Sequence, residues 1–248
     1  MEGHKISKAF QYLFSKFSKN GNLRNGVLFT FFSFLNSGIN FLLLFILAAF
    51  ITPDGYGELN LFTTLITLLS ILISLNSTGI MSVEFFNVTS TQFSRLLNSV
   101  LLIILSVFLL GITSILIFSD EIQQSIGISA TYQWLALLIC FLQIFSTINL
   151  DIWRLEEKPK AYGLYSLSVV LLNFFLTLFF ILFLKYGWEG RVYAQFGVSI
   201  IFFIISIFFL VKRKYLRNIL PTRLSIKSCL SFGIPLIPHN VSAWARQG

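Results

Sequence analysis

The 248-residue chain is too apolar for a water-soluble protein, because 56% of its residues are hydrophobic and 11% are charged, where soluble domains carry about 25% charged residues. A net charge of +8 would suggest a nucleic-acid-binding protein if the chain were soluble. Here the basic residues fall between long apolar segments, on one side of the predicted spans. The pattern therefore excludes nucleic acid as a partner and indicates an integral membrane protein.

Residues 1–25 form a basic, amphipathic segment. From residue 4 to residue 20 apolar side chains recur at helical spacing, and the lysines occupy mostly the remaining positions. This pattern is typical of a helix that lies in an anionic membrane surface, and a disordered basic leader is the alternative. We do not expect a cleaved signal peptide, because the apolar run that follows is too long and no small-residue cleavage site precedes it.

The chain is organised around the stretch 26–60. No charged residue occurs in 27–50, and at about 1.5 Å per residue this run can cross a hydrocarbon core of about 30 Å as one tilted helix. A cluster of proline and glycine at 53–57 then predicts a turn, with a second apolar helix beginning near Glu58. The stretch is thus predicted to be a membrane hairpin.

The rest of the chain repeats this pattern of span and short loop. Six further apolar segments follow, at 59–83, 96–118, 132–152, 162–184, 193–211 and 228–248. We predict an all-α polytopic membrane protein with a six-span transmembrane bundle over 26–211. A basic cytoplasmic linker at 212–227 and the start of a seventh span at 228–248 complete the predicted organisation.

The distribution of basic residues orients these spans. If the N-terminus is cytoplasmic, 15 of the 18 Lys and Arg residues lie on the cytoplasmic side. The other side carries only Lys185 and Arg191, and Arg246 lies within the last segment. Cytoplasmic loops of membrane proteins carry such an excess of positive charge, so the N-terminus is predicted to be cytoplasmic.

Polar side chains inside the spans are candidates for substrate binding, because they are costly in lipid and usually face a helix interface or a water-filled cavity. Asn36 and Asn40 lie on one face of the first span, and Asp151 lies at the end of the fourth. The two asparagines could line a central cavity or form hydrogen bonds between helices, and the sequence is compatible with both interpretations.

Four arginines are further candidates. Arg24, Arg95 and Arg154 stand at the predicted cytoplasmic ends of spans, and a guanidinium group can bind phosphate through two parallel hydrogen bonds. The alternative is that they only set topology and contact lipid head groups. Arg246 lies in an apolar segment that contains two prolines. Its depth depends on where that helix begins: it lies either near the far interface, where it could snorkel, or deeper.

No catalytic or metal-binding pattern occurs in the sequence. Cys140 and Cys229 lie in apolar stretches, and His4 and His239 are far apart, so neither pair has the spacing of a disulfide framework or a metal site. A Ser/His/Asp set and a glycine-rich phosphate loop are also missing. We therefore expect a protein that is not an enzyme and that uses neither a metal nor another cofactor.

Two motifs resemble one family of transporters. An apolar first span that carries Asn and Gly ends in P-D-G-Y-G-E-L-N at 53–60, and S-F-G-I-P-L-I-P-H-N-V-S-A-W follows at 231–244. The first motif resembles the start, and the second the seventh span, of Wzx-type polysaccharide flippases, which belong to the multidrug/oligosaccharidyl-lipid/polysaccharide (MOP) exporter superfamily. Members have about twelve to fourteen spans in two related halves, so the resemblance covers the N-terminal half and the opening of the second.

The resemblance implies a substrate and a mechanism. The substrate would be an undecaprenyl-pyrophosphate-linked oligosaccharide, such as a repeat unit of O-antigen, capsule or exopolysaccharide, flipped by alternating access across the bacterial inner membrane. The partners would be this lipid-linked oligosaccharide, membrane lipids, the polysaccharide polymerase and the chain-length regulator. Alternatives are a peptidoglycan-precursor flippase, a MATE-like multidrug exporter, a membrane-embedded transferase of polysaccharide assembly and a scaffold that does not transport.

The predicted topology can be tested with a reporter that is active only outside the cytoplasm. Fused after Gly57, Asp120 or Gly187, the reporter should be active, because these positions follow an odd number of spans. Fused after Lys160 or Arg217, it should be inactive. Activity at either of the last two positions would contradict the predicted orientation.

Overall fold

The computed structural model describes residues 21–246, and within this range the chain is helical without any strand. Six of the described helices are long and apolar enough to cross a membrane, which confirms the predicted all-α polytopic fold. The predicted amphipathic helix at 4–20 lies outside the described residues. The six long helices are α1 (Gly21–Phe50), α2 (Pro53–Ser74), α4 (Ser90–Ile126), α5 (Ala130–Leu155), α6 (Pro159–Leu178) and α7 (Gly187–Lys212).

Shorter elements join and follow these helices. The short helix α3 (Gly79–Glu84) lies between α2 and α4, and α6 continues as a π-helical stretch at Phe179–Phe183. The predicted seventh span is a broken helix. It consists of α8 (Arg223–Gly233), a 3₁₀ turn at Ile234–Leu236 and α9 (Ile237–Ala245).

Helix α5 is the centre of the bundle. It packs against α2, α4, α6 and α7, and Ile139, Ile148 and Ile152 along it are fully buried. Helix α1 lies at the edge, where it packs mainly against α6 and only slightly against α2. The two helices of the predicted hairpin therefore follow each other in sequence without forming a packed pair.

Close packing explains why α1 associates with α6. A Cβ atom at Gly163 would lie 2.0 Å from the ring of Phe32, so only glycine leaves room for that ring. Phe29 meets Tyr162 edge-on at 5.2 Å between ring centroids. Small residues that allow close approach are typical of helix interfaces in membranes, and this contact brings the start of α1 to the start of α6.

The predicted turn at 53–57 is wrong, because these residues form the first turn of α2. Thr52 caps the helix, and its hydroxyl accepts a hydrogen bond of 3.3 Å from the Gly55 amide. Pro53 occupies the first helical position, where a backbone amide hydrogen would have no partner in the helix. The turn between α1 and α2 is therefore limited to residues 51 and 52.

The predicted second span at 59–83 is interrupted between α2 and α3. Leu75 and Asn76 adopt left-handed backbone conformations, with φ of 44° and 51°. The seventh segment packs on this break, because a Cβ atom at Gly233 would lie 2.1 Å from the Leu75 carbonyl oxygen. Asn240 Nδ2 also donates a 2.6 Å hydrogen bond to Asn76 Oδ1. The break thus forms the docking site for the seventh segment.

Residues 213–222 form a non-helical connection, and α8 begins at Arg223, within the segment predicted as the linker 212–227. Asn98 on α4 donates hydrogen bonds to the carbonyl oxygens of Arg217 and Ile219, at 2.8 and 2.7 Å. The Ser99 and Ser225 hydroxyl oxygens lie 2.7 Å apart. The connection is therefore fixed to α4.

The long helices end at two faces. We call one end the basic face and define it by the start of α1 and the connections 85–89, 156–158 and 213–222. Asn25 Nδ2 lies 3.4 Å from the Glu157 carbonyl oxygen there. The opposite face holds the connections 51–52, 127–129 and 184–186. The predicted cytoplasmic loops lie together at the basic face, while the orientation in the membrane stays a prediction.

Substitution of Gly233 tests the docking of the seventh segment. The change Gly233→Ala places a methyl group against the Leu75 carbonyl, and such overpacking costs about 1–3 kcal/mol. We expect the thermal unfolding midpoint in detergent to fall by about 2–10 °C. In the matched control, Gly38→Ala, the new methyl group meets nothing within 4 Å, and the midpoint should not fall. Equal midpoints for the two variants would contradict the docking.

Candidate substrate site at the basic face

The seven predicted site residues do not form one cluster. Arg24 and Asn36 lie on α1, which packs on α6, and Asp151 and Arg154 lie at the end of α5, where Arg154 bonds to Tyr162 of α6. Arg95 lies on α4, close to α8. Asn40 is exposed on α1 and Arg246 is exposed after α9. Of the seven, Arg24 is the one that lines the cavity at the start of α1 and α6.

A cavity of about 510 Å³ opens at the basic face between the start of α1 and the α5–α6 connection. We call it the basic pocket. Arg24, Glu157, Lys158 and Lys160 contribute charged groups to its lining, and Leu28 contributes an apolar wall. The ammonium group of Lys158 lies 3.1 Å from Glu156. Arg24 and Lys160 thus face a single carboxylate, that of Glu157.

The N-terminus of α6 also lies at the basic pocket. Pro159 is the first residue of this helix, and no side chain caps it. The first amide hydrogens of a long helix carry partial positive charge, which adds to the charge of Arg24 and Lys160. The pocket therefore has the chemistry to hold a phosphate-bearing group.

Arg154 and Asp151 form an ion pair beside this pocket. Arg154 Nη1 lies 3.3 Å from Asp151 Oδ1, and Nη2 donates a 3.2 Å hydrogen bond to the Tyr162 hydroxyl. The guanidinium group also lies over the Tyr162 ring, 5.3 Å from its centroid. These contacts hold Tyr162, which meets Phe29 of α1, so the pair positions the α1–α6 contact.

The two asparagines of α1 have different surroundings. Asn36 is half-buried, and its Nδ2 donates a 3.0 Å hydrogen bond to Ser166 Oγ on α6. Its Oδ1 atom is buried and has no partner among the described residues. Asn40 is exposed one turn further along. The geometry gives Asn36 an interhelical hydrogen bond and leaves Asn40 accessible.

Arg95 and Arg246 lie apart from the basic pocket. Arg95 is half-buried, and its Nε atom has no partner among the described residues. Arg246 follows Trp244, whose indole nitrogen donates a 3.2 Å hydrogen bond to the Thr64 carbonyl. At about 1.5 Å per residue, Thr64 lies about 16 Å from the start of α2. Arg246 is therefore near the middle of α2 and not at its end.

Arg191 is a cation within a span that sequence reasoning missed. The predicted sixth span begins at residue 193 and leaves Arg191 in a loop, but α7 begins at Gly187. The guanidinium group donates hydrogen bonds to Asn173 Oδ1 and, at 3.1 Å, to Thr177 Oγ1 on α6. Arg191 thus lies inside α7, about 6 Å from its start, and is held by α6.

A cluster around Glu156 was also missed, because its members are far apart in sequence. The Glu156 carboxylate accepts hydrogen bonds from Arg213 and from the Tyr215 hydroxyl. The Arg213 guanidinium lies 5.1 Å from the centroid of Trp153. Burial raises the pKa of Glu156, but Arg213, Tyr215 and Lys158 outweigh it, and the pKa lies below its usual range.

Comparison with known proteins identifies the fold. No protein-family model matches the chain, and no curated protein is similar to it. A MATE transporter in complex with MaD3S has a TM-score of 0.64 and 21% identity, over 90% of this chain and 53% of the transporter. An outward-facing multidrug resistance MATE transporter of the MOP superfamily has a TM-score of 0.63 and 18% identity, over 87% and 52%.

A further MATE transporter, in complex with Br-NRF, has a TM-score of 0.65 and 17% identity, over 90% of this chain and 54% of the transporter. The chain thus spans about half the length of the solved structures it matches. At these identities the likeness shows the fold alone: the described helices form a MATE-like half.

The Glu156 cluster predicts a specific dependence of stability on pH. Because the folded pKa is lowered, the ion pairs stabilise the protein above the ordinary pKa of Glu, about 4.3, and this contribution is lost as the pH falls through the folded pKa. We expect Glu156→Gln to unfold at a lower temperature than the wild type at pH 7. In acid, the difference between the two unfolding midpoints should disappear.

The matched control is Glu157→Gln, because the neighbouring Glu157 side chain is exposed and forms no ion pair among the described residues. Its unfolding midpoint should follow that of the wild type at every pH. A Glu156→Gln midpoint equal to the wild type at pH 7, or a gap that stays constant into acid, would contradict the assigned role of the cluster.

Proposed function

We propose that the chain is one half of a MOP-type exporter that flips an undecaprenyl-pyrophosphate-linked oligosaccharide across the bacterial inner membrane. The repeat unit would belong to O-antigen, capsule or exopolysaccharide. The observation that carries the proposal is the basic pocket, which lies at one end of a MATE-like half and brings Arg24 and Lys160 to the N-terminus of α6. The basic face would be cytoplasmic, where the carrier lipid enters.

The distribution of charge supports an anionic substrate over a cationic drug. Every carboxylate in residues 21–246 lies in a connection or within about two turns of a helix end: Asp54, Glu58, Glu84, Asp120, Glu121, Asp151, Glu156, Glu157 and Glu189. A cationic drug would meet like charge at the basic pocket and no carboxylate in the middle of a span. A pyrophosphate would meet the opposite charges it needs.

The surface of α1 supports an amphipathic substrate. Phe34, Phe41 and Phe45 are between 59% and 75% exposed along this helix, which begins at the basic pocket. A polyprenyl carrier has a phosphate end and a long hydrocarbon chain. Its head group would lie against Arg24 and Lys160, and its chain would lie in the lipid along α1.

Transport would require a second bundle. Alternating access works by movement of one bundle against another around a shared site, and the chain spans about half of the MATE structures it matches. Within the complete route, we propose that Arg95, Arg154 and Arg246 supply further cations and that Asn40 faces the cavity. The polysaccharide polymerase and the chain-length regulator are the proposed protein partners.

Transport is favoured over the transferase alternative. The solved structures of similar fold belong to transporters. In the described part of the chain, no group of three or more His, Cys, Asp or Glu side chains could hold a metal ion. The basic pocket offers cations and one carboxylate, which suits binding of a phosphate more than proton transfer.

The substrate class can be tested by binding measurements on the purified 248-residue protein in detergent. The probes are undecaprenyl pyrophosphate, undecaprenol, which lacks the charge, and tetraphenylphosphonium, which stands for cationic drugs. We expect the pyrophosphate to bind at least about tenfold more tightly than the alcohol, because one charge-assisted hydrogen bond contributes about 1.5–3 kcal/mol. Tetraphenylphosphonium should not compete with it.

Variants assign this binding to the basic pocket. Arg24→Gln should weaken pyrophosphate binding by about tenfold, while Arg223→Gln should not. Arg223 is the matched control because it is exposed at the same face and lies outside the basic pocket. In a protein that carries both bundles, Arg246→Ala should abolish export and Arg246→Lys should retain part of it, because lysine keeps the charge and loses the planar fork. Binding of tetraphenylphosphonium in preference to the pyrophosphate would overturn the proposal in favour of a multidrug exporter.

A further inference from the structure

A second cavity opens at the basic face, on the other side of α6. It has a volume of about 640 Å³ and lies between α6 and α7; we call it the α6–α7 groove. Trp153 of α5 and Tyr165 of α6 form its floor. Leu164 and Ser168 on its wall are exposed, so the groove opens on the outer surface of the described helices, where lipid would lie.

The rim of the groove is basic. Lys158, Lys212 and Arg213 all lie at its end nearest the basic face. Glu156 holds two of them in place, because its carboxylate binds Arg213 and lies 3.1 Å from the Lys158 ammonium. With this carboxylate counted, the rim keeps an excess of two positive charges. Arg213 also has a buried Nη1 atom without a partner among the described residues.

The walls of the groove are apolar and extend into the membrane. On α6 they run from Ala161 to Ser168, and on α7 from Lys212 to Phe202. At about 1.5 Å per residue these stretches measure about 10 and 15 Å. The groove thus combines a cationic rim with an apolar channel of a length that suits much of one acyl chain.

We infer that the α6–α7 groove binds one anionic phospholipid of the leaflet at the basic face. Its phosphate group lies between Lys212 and Arg213, near the uncapped start of α6, whose dipole favours an anion. Its acyl chain lies between Leu164 and Phe209. The lipid joins α6 to the end of α7, where the connection to α8 begins. This site shares Lys158 and Ala161 with the basic pocket but opens on the other side of α6, toward α7, and the inference does not depend on the transported substrate.

Native mass spectrometry of the detergent-purified chain tests this inference. The probes are dioleoyl phosphatidylglycerol, which is anionic, and dioleoyl phosphatidylcholine, which is zwitterionic and carries the same acyl chains. The expected result is one retained phosphatidylglycerol per protein at concentrations where phosphatidylcholine is lost. Equal retention of the two lipids would overturn the inference, because it would show only the non-specific lipid around a hydrophobic surface.

Two variants address the two parts of the groove. Lys212→Gln removes a rim charge and should lower the affinity for phosphatidylglycerol by about fivefold, which corresponds to the contribution of about 1 kcal/mol per basic residue near anionic lipid. Ser168→Phe fills the channel and should lower affinity by a similar factor. Ser168 is exposed and bonds only to its own helix, at the Leu164 carbonyl, so the change leaves the bundle intact.

Each variant has a matched control. Lys214→Gln removes an exposed charge two residues further along the chain, in the connection that follows α7 and outside the groove. Ser106→Phe adds a ring at another exposed serine, which bonds to the Leu102 carbonyl of its own helix. Both controls should bind phosphatidylglycerol as the wild type does. An equal loss of affinity for phosphatidylglycerol in the variants and in their controls would overturn the inference.

A competition measurement separates a phospholipid site from a part of the transport route. Undecaprenyl pyrophosphate is added to the complex with phosphatidylglycerol, and the bound species are resolved by mass. We expect phosphatidylglycerol to stay bound at equal concentrations, and Ser168→Phe to leave binding of the pyrophosphate unchanged. Suppose instead that undecaprenyl pyrophosphate displaces phosphatidylglycerol from the wild type but not from Ser168→Phe. This result would assign the groove to the transported lipid and overturn the inference.

Discussion

The structure depends on hydrogen bonds that join α5, α6 and α7 in the interior of the bundle. In lipid, apolar contact alone does not draw helices together, and close packing and interhelical hydrogen bonds do this instead. The Tyr165 hydroxyl donates to Ser146 Oγ at 2.9 Å and lies 2.6 Å from Ser206 Oγ. Asn149 Nδ2 donates to the Ser206 carbonyl at 3.0 Å. The three helices are thereby fixed, and with them the position at which α6 begins, between the basic pocket and the α6–α7 groove.

The number, order and approximate ends of the spans could be predicted because they follow from runs of apolar sequence. The fifth span, predicted at 162–184, extends over Pro159–Phe183 in the structure. The prediction of one span at 59–83 missed the break at Leu75 and Asn76, and the close approach of Gly233 to this break could not be predicted because Gly233 is distant in sequence. The sequence does carry a local signal there, since residues 74–79 read S-L-N-S-T-G and such clusters of polar and small residues are typical of turns.

In the candidate site, too, residues with a local sequence signal could be predicted and contacts between distant residues could not. Arg24 was found because it stands where an apolar run begins, which is a local signal. Its neighbours in the basic pocket could not be found, since they depend on α1 leaving α2 and packing on α6 through Gly163 and Phe32. The same contact gives α1 one packed side and one exposed side. A basic head-group pocket and an apolar helix surface are thus adjacent, which is the arrangement that an amphipathic anionic substrate requires.

Photo-crosslinking tests the central claim that this bundle receives a pyrophosphate lipid at the basic pocket. A polyprenyl pyrophosphate with a photoreactive group next to the phosphates is added to membranes that contain the protein, and the modified peptides are identified by mass spectrometry. The account predicts labelling of residues 24–28 at the start of α1 and 157–161 at the start of α6, with loss of label when unlabelled undecaprenyl pyrophosphate is present. Labelling confined to the exposed surface of α4, around Leu105 and Leu109, or labelling that the competitor does not reduce, would contradict it.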